Sequence, residues 1–308
     1  MKFAVFQLTR KGGRDKNEDR MGYCYAGDTG LFMLADGMGG HPEGEVAAQL
    51  ALESMAGSYQ QCGSTPIVDA GAFLNSALLR AHTGIQNYAR EKAMPDAPRT
   101  TLVAALLLRE QLSWVHCGDS RLYLVRRGEL ITRTRDHSYN EQRAGAPGSA
   151  AARASRHVLY TCLGAPQRPE FDVAGPVAMQ AGDRVLLCSD GLWDNVDEAD
   201  ILALLGALPV HEAVPDLVEL ALSRGGVHCD NVTALAIEWE PADAAGTLTD
   251  LDTQAMDRDS FATTFTTHLS TDACGRLLAD VEPLDDAAIE RAIHEINDAI
   301  RRTTAAKP

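Results

Sequence analysis

Short apolar segments and paired amphipathic helices place the strongest constraint on how this chain folds. Segments typical of β-strands lie at 3–8, 21–25, 31–34, 102–108, 113–117, 122–125, 158–161, 185–188 and 232–237. Several of them are almost wholly apolar. Strands of that kind are covered on both faces or lie inside a sandwich, so the sequence predicts sheets that are buried between other layers.

Helical periodicity falls into two pairs of segments. One pair, at 46–55 and 74–88, lies between the third and fourth predicted strands, and the other, at 201–205 and 214–222, lies between the last two. Each helix has one apolar stripe and therefore needs a sheet to cover it. The economical packing is an α+β fold, a four-layer α-β-β-α sandwich of two mostly antiparallel sheets flanked by helix pairs.

The apolar periodicity also predicts where this domain ends. Residues 1–240 form the predicted sandwich, and a stretch at about 138–156 without apolar periodicity is predicted to be a surface flap. Residues 241–260 have the composition of a linker. In the C-terminal extension at 261–308, an amphipathic helix is predicted at about 285–302. We expect this helix to pack either on the chain's own main domain or on a partner, because it is too short to be stable alone.

Charge and cysteine usage exclude several classes of function. The 308-residue chain carries a formal charge of −15, which disfavours a nucleic-acid partner because phosphate backbones are bound by Lys/Arg-rich faces. Its 7 cysteines are odd in number and form no C-x-x-C pair, which argues against a disulfide framework and against structural zinc. The apolar stretch at 3–8 is too short for a signal peptide, and no longer run suits a membrane span. We therefore expect a cytoplasmic protein without a membrane partner.

Four aspartates lie beside predicted strands. Asp36 and Asp190 each precede a glycine at the end of an apolar strand, Asp119 follows another strand, and Asp230 precedes the last one. Taken singly, each of these positions is more often a simple turn. Gathered at sheet ends, the four carboxylates would repel one another unless they were protonated or bound to cations. An all-oxygen ligand set favours Mg²⁺ or Mn²⁺ over Zn²⁺.

A charged segment between the first two strands, from Arg14 to Arg20, strengthens this interpretation. The planar guanidinium of Arg14 offers paired donors to a phosphate group. Glu18 and Asp19 offer carboxylates for a second cation, directly and through water. On its own, such a cluster would more often be a solvated loop.

Together these segments resemble the metal-dependent protein phosphatases of the protein phosphatase 2C type, in their bacterial form. The resemblance spans residues 1–240, and the matching pieces occur in the family's order. They are Arg14–Arg20, Ala35–Glu45, Thr100–Val103, Gly118–Arg121, Arg135–Ser138, Ser189–Leu192 and Asp230–Asn231. Several separate motifs in the correct order are far more specific than any one of them alone.

The resemblance implies a role for each matching residue and two divalent ions, Mn²⁺ or Mg²⁺. Asp36 would bridge the two ions. Asp190 and Asp230 would complete the ligands of the first ion, and Glu18 with the Gly37 carbonyl would bind the second ion. Asp19 would act through coordinated water, and Asp119 with Asp190 would hold a third, weaker ion. Arg14 would hold the substrate phosphate. The implied enzyme hydrolyses phosphoserine and phosphothreonine in phosphorylated proteins, by attack of a water that bridges the two ions. It would oppose bacterial serine/threonine kinases, and such a kinase is a candidate partner.

One departure from the family pattern leaves the general acid open. Animal members carry a histidine two residues after the bridging aspartate, and that position is Met38 here. His41, three residues further on, is the candidate in the sequence, and metal-bound water is the alternative.

Two rival functions belong to other classes. Cys162 and Arg168 fit the C-x₅-R pattern of cysteine-dependent phosphatases. That loop aims backbone N–H groups at phosphate, and Pro166 removes one of them, which disfavours this interpretation. The other rival, a phosphoprotein-binding module without catalysis, is disfavoured because every expected carboxylate is present.

Overall fold

Two β-sheets packed face to face form the centre of the fold. The computed structural model describes residues 2–26, 28–62, 67–139, 158–240 and 266–268. The first sheet has the order β1-β10-β9-β6-β7 and is antiparallel throughout. Its strands are β1 (Lys2–Arg10), β6 (Arg121–Arg126), β7 (Glu129–Arg133), β9 (Arg184–Cys188) and β10 (Val232–Glu240).

The second sheet has the order β11-β2-β3-β4-β5-β8. Its strands are β2 (Arg20–Ala26), β3 (Thr29–Ala35), β4 (Leu102–Leu108), β5 (Gln111–Cys117), β8 (Asp172–Ala178) and β11 (Thr266–His268). The first five of these pair antiparallel, and the short β11 lies parallel to β2 at the edge.

The sheets meet in a shared apolar core. Alternate residues of the facing strands, among them Phe32, Leu124, Leu187 and Leu235, are completely buried there. This explains why those strands read as apolar runs in the sequence. Each such side chain contributes about 2 kcal/mol through removal of its surface from water.

Helices cover the outer face of each sheet. They are α1 (Gly44–Gln61), α2 (Ala70–Glu91), α3 (Asp190–Trp193), α4 (Glu198–Ala207) and α5 (Val210–Gly225), and a 3₁₀ turn follows at Gly226–His228. α1 and α2 pack on the second sheet, whereas α4 and α5 pack on the first. The Asp69 side chain begins α2 by accepting a hydrogen bond from the Ala72 N–H at 3.0 Å. The predicted four-layer α-β-β-α sandwich is confirmed.

The sequence prediction was wrong in detail at four strands. Residues 158–161 do not form a strand, since only Leu159 makes a bridge, to Ser138. The three-residue β11 was not predicted either. β7 and β8 were not predicted, because β7 is only half-buried, β8 is largely exposed, and neither has an apolar run. β8 also contains the Gly175–Pro176 pair, which reads as a turn in the sequence.

Several predicted segments lie outside the described residues. They are most of the flap predicted at 138–156, the linker predicted at 241–260 and the amphipathic helix predicted at 285–302. Within the extension predicted at 261–308, only β11 is described. No helix in the described ranges is long and apolar enough to cross a membrane.

Candidate metal centre

Antiparallel pairing brings the acidic residues to one end of the sandwich. In the second sheet Arg20 pairs with Ala35, so Asp19 and Asp36 occupy adjacent strand ends. In the first sheet Cys188 lies between Arg121 and Ala234, so the segments that carry Asp119, Asp190 and Asp230 also converge. The strand registers therefore gather the acids at one end of each sheet.

These strand ends surround a cavity of about 1070 Å³. It is lined by all but one of the residues that the family resemblance implies: Arg14, Glu18, Asp36, Gly37, His41, Asp119, Asp190 and Asp230. Asp19, the exception, is 2% exposed. The structure thus brings the predicted residues together, and their roles as metal ligands remain predictions.

The carboxylates of the cavity disturb one another strongly. Loss of surrounding water raises the pKa of Asp36 well above its ordinary value, and the negative charges of Asp19, Asp190, Asp119 and Asp230 raise it further. Burial likewise raises the pKa of Asp19, to about 7, against the opposing effect of hydrogen bonds from Thr233 and Ser189. A group of acids in this state is destabilised when ionised, and bound cations would relieve that repulsion.

The donor set fits hard divalent cations. Asp19 Oδ1 is buried and has no hydrogen-bond partner within the described residues, although its Oδ2 accepts a hydrogen bond from Ser189 Oγ at 2.8 Å. A buried carboxylate oxygen left without a partner is costly unless a water or an ion completes it. The cavity lining supplies carboxylate oxygens and no cysteine, which matches Mg²⁺ and Mn²⁺.

The backbone of Asp36 is held by a pair of threonines that the sequence analysis placed in the family motif without a role. Thr101 Oγ1 accepts the Asp36 N–H at 3.1 Å, and the Thr101 N–H donates to the Asp36 carbonyl at 2.9 Å. Thr100 Oγ1 donates to the same carbonyl at 2.8 Å. These bonds fix the loop that carries the central carboxylate.

Gly37 is a glycine because three backbone segments meet there. A Cβ atom at this position would lie 2.5 Å from the Gly44 carbonyl oxygen and 2.8 Å from that of Glu18. The start of α1 can therefore approach the segment after β3 only if residue 37 lacks a side chain.

Asn231 organises the loop that carries Arg14 and Glu18. Its Oδ1 accepts the Glu18 N–H at 2.8 Å, while its Nδ2 donates to the carbonyls of Lys11 and Lys16 at 2.8 and 2.9 Å. The Asp-Asn pair in the sequence was the only signal for this role. Asp230, its neighbour, accepts a hydrogen bond from the Arg14 guanidinium.

His41 lies at the cavity that the acids line, so the sequence candidate for a general acid is near the centre. Its Nδ1 lies 3.1 Å from Asp96 Oδ2, and Arg99 contacts the other oxygen of the same carboxylate at 3.2 Å. Asp96 thereby fixes the orientation of the imidazole ring.

Sequence comparison finds relatives of one kind. A sequence model described as protein phosphatase 2C matches residues 11–216. The serine/threonine protein phosphatase PstP of Mycobacterium tuberculosis is 37% identical over 231 residues, which cover 73% of this chain and 42% of PstP. The chain thus spans less than half the length of that relative. The serine/threonine phosphatase stp of Listeria innocua is 31% identical over 244 residues, covering 76% of this chain and 95% of stp.

Solved structures share the fold. The catalytic domain of PstP in complex with two manganese ions superposes with a TM-score of 0.65 at 34% identity, covering 78% of this chain and 99% of that domain. The serine/threonine phosphatase Stp1 of Staphylococcus aureus gives a TM-score of 0.69 at 27% identity, covering 78% of this chain and 96% of Stp1.

Proposed function

The chain belongs to the protein phosphatase 2C family, and from this we propose that it is a metal-dependent serine/threonine protein phosphatase. One observation carries the proposal: Asp36, Asp119, Asp190 and Asp230 line one cavity together with Arg14, and the buried Asp19 lies close enough to disturb Asp36 electrostatically. Relatives of this chain are named serine/threonine phosphatases, and one of them was solved with two manganese ions.

The residues that would hold two Mn²⁺ or Mg²⁺ ions follow from the family pattern. Asp36 would be the ligand shared by both, Asp190 and Asp230 would hold the first ion, and Glu18 with the Gly37 carbonyl would hold the second. Asp19 would act through a coordinated water. Asp119 and Asp190 would hold a third, weaker ion. Bound ions would supply the positive charge that activates a water shared between them as the nucleophile toward phosphorus.

The chain's own groups then handle the substrate. Arg14 has a side chain that is 54% exposed, and its guanidinium faces the cavity through its contact with Asp230. From there it can bind two phosphate oxygens and offset their charge. His41, oriented by Asp96, is positioned at the same cavity to donate a proton to the departing serine or threonine oxygen.

The substrates we propose are phosphoserine and phosphothreonine in proteins, so the enzyme would oppose a serine/threonine kinase. The test is phosphate release from a phosphothreonine peptide and from a matched phosphotyrosine peptide, with Mn²⁺ and with chelator. We expect Mn²⁺-dependent hydrolysis that favours phosphothreonine. Full activity in chelator would contradict the proposal, as would a preference for phosphotyrosine.

We also propose that residues 1–240 are the catalytic domain and that 241–308 are a regulatory or partner-binding appendage. β10, which ends at Glu240, completes the first sheet between β1 and β9, whereas β11 only extends an edge of the second. A chain cut after Glu240 should therefore hydrolyse a small aryl phosphate as fast as the full chain, with a chain cut after His268 as the matched control. An inactive or insoluble shorter chain would place the boundary beyond 240.

A further inference from the structure

The loop between β5 and β6 carries Asp119 and turns sharply at Gly118. Gly118 adopts a φ of +104°, and a Cβ atom there would lie 2.7 Å from Thr101 Cγ2. The loop is thus a tight glycine turn packed against the threonine that also fixes Asp36. The direction of the Asp119 carboxylate depends on the groups that hold the backbone of this turn.

His137 holds both backbone polar groups of Gly118. Its N–H donates to the Gly118 carbonyl at 3.0 Å, and its Nδ1 accepts the Gly118 N–H at 3.2 Å. Because a backbone N–H can only donate, Nδ1 carries no proton and Nε2 must carry it in the neutral ring. That Nε2–H faces Asp172 Oδ2 at 3.3 Å, and the ring stacks on His116 with centroids 4.4 Å apart.

The tautomer of His137 also determines whether three neighbouring side chains can bind a metal ion. His116, His137 and Asp172 each offer a donor atom, all within 4.8 Å of one another. A metal ion at His137 Nε2 would require the proton to move to Nδ1, where it would meet the Gly118 N–H. The two rings also lie nearly parallel, at 15°, so their in-plane lone pairs do not converge. The group therefore supports the turn and is not built to bind a metal ion.

Trp193 holds the peptide group that follows Asp119. Its indole Nε1–H donates to the Asp119 carbonyl at 3.0 Å. Trp193 is the last residue of α3, the one-turn helix that begins with Asp190. A single hydrogen bond thus ties the Asp119 turn to the helix that carries Asp190.

The indole itself is held in place by Arg121 and Asp136. The Arg121 guanidinium lies 3.6 Å from the ring centroid of Trp193 and binds both oxygens of Asp136, at 2.8 and 2.7 Å. Asp136 directly precedes His137 in the chain. The segment that follows β7 therefore supplies His137 itself and the carboxylate that holds Arg121 against Trp193.

We propose that Trp193 and His137 are positioning residues that set the Asp119 carboxylate against Asp190, so that a divalent ion can be bound between the two. The proposal rests on the proposed metal-dependent function. Loss of the Trp193 hydrogen bond should weaken the site between Asp119 and Asp190 and leave the two ions that Asp36 would bridge unaffected. Loss of such an outer partner of a ligand typically lowers metal affinity about 10-fold.

The test is Mn²⁺ titration of Trp193→Phe by calorimetry, with Trp239→Phe as the matched control. Phenylalanine keeps an aromatic face for Arg121 but removes the N–H together with one ring of the indole. Trp239→Phe makes the same loss of ring volume in the core between the sheets, away from the cavity. We expect the weakest Mn²⁺ site to bind about 10-fold more weakly in Trp193→Phe. The tighter sites and the control protein should be unchanged. Hydrolysis by Trp193→Phe should fall at limiting Mn²⁺ and recover as Mn²⁺ is raised.

The Asp119→Asn background separates positioning from a general structural role. If Trp193 acts through Asp119, then adding Trp193→Phe to Asp119→Asn causes no further loss of Mn²⁺ affinity. Unchanged Mn²⁺ affinities in Trp193→Phe would overturn the proposal, and so would full additivity in the double variant. A wild-type protein that binds no Mn²⁺ would overturn the proposed function itself.

A second pair of variants tests the other support and keeps the proposal falsifiable if Trp193→Phe does not fold. His137→Asn retains an acceptor for the Gly118 N–H, whereas His137→Leu fills similar space without one. We expect the weakest Mn²⁺ site to be retained in the asparagine variant and weakened in the leucine variant. Equal affinities in the two would contradict a positioning role for His137.

Discussion

Two regions of this molecule carry a motif of a phosphate-cleaving site, the carboxylate cavity and the Cys162–Arg168 segment, and only one is organised for that chemistry. In the cavity, the backbone of Asp36 is fixed by Thr100 and Thr101, and its carboxylate lies among those of Asp119, Asp190 and Asp230. After Cys162, the first two backbone N–H donors are already in use. The Leu163 N–H donates to the Thr100 carbonyl at 2.9 Å, and the Gly164 N–H to His82 Nδ1 at 3.2 Å.

The thiol points to the same conclusion. Cys162 is 6% exposed, and burial raises its pKa, so it is protonated where a nucleophilic cysteine would be a thiolate. The segment instead supports the cavity through Thr100, the residue that also holds the Asp36 carbonyl. A motif therefore indicates chemistry only where the fold arranges its functional groups around a site.

The largest expected effect comes from removing the central carboxylate. Asp36→Asn should lower hydrolysis of an aryl phosphate by several orders of magnitude, because the amide cannot bridge two ions. Asp230→Asn should also be severely impaired. Circular dichroism should show both variants folded, since repulsion among the acids is reduced. If the rate of hydrolysis by Asp36→Asn is within tenfold of the wild-type rate, the carboxylate cavity is not the catalytic site and the contrast between the two regions is wrong.

Arg14→Ala should have the next largest effect, a loss of about 10² in kcat/KM, because a cation that binds phosphate contributes a few kcal/mol. Mn²⁺ affinity should be unchanged. Arg14→Lys should restore only part of the rate, since an ammonium lacks the paired donors. The control is Arg109→Ala, an exposed arginine that pairs with Asp28. An alanine variant at Arg14 with unchanged kcat/KM would take this residue out of the site.

Stability of the metal-free protein should fall as pH rises. The pKa of Asp19 is about 7 in the fold, against 3.8 ordinarily, so the folded state binds its proton more tightly than the unfolded state does. The stabilisation that this proton provides is fully present below the ordinary pKa of 3.8, and it is lost as pH rises through about 7. Thermal unfolding in chelator should show a Tm that declines over this range. Asp19→Asn should flatten the decline, and Mn²⁺ should oppose it; an identical pH profile in wild type and variant would contradict this origin.

The smallest effect should come from Cys162→Ser. The side chain is buried away from the proposed chemistry, so phosphatase activity should stay near the wild-type value, with at most a modest loss of Tm. A folded serine variant without activity would restore the cysteine-dependent mechanism.

Much of the fold was legible in the sequence because the buried strands are apolar runs and each helix has one apolar stripe. β8 could not be predicted, since its residues are mostly exposed and it pairs with β5, a strand far from it in the sequence. The cavity residues were found because carboxylates at strand ends are costly without a cation. Thr101 and Trp193 received no role, because each acts through a hydrogen bond to the backbone of an aspartate, and sequence spacing does not reveal such contacts.

The central claim is that the carboxylate cavity, and not the cysteine segment, binds the ions that catalysis needs. Calorimetric titration with Mn²⁺ of the wild type, Asp36→Asn and Cys162→Ser tests it directly. We predict at least two bound ions in the wild type and in Cys162→Ser, and loss of the tight sites in Asp36→Asn. Equal Mn²⁺ binding by all three proteins would contradict the account.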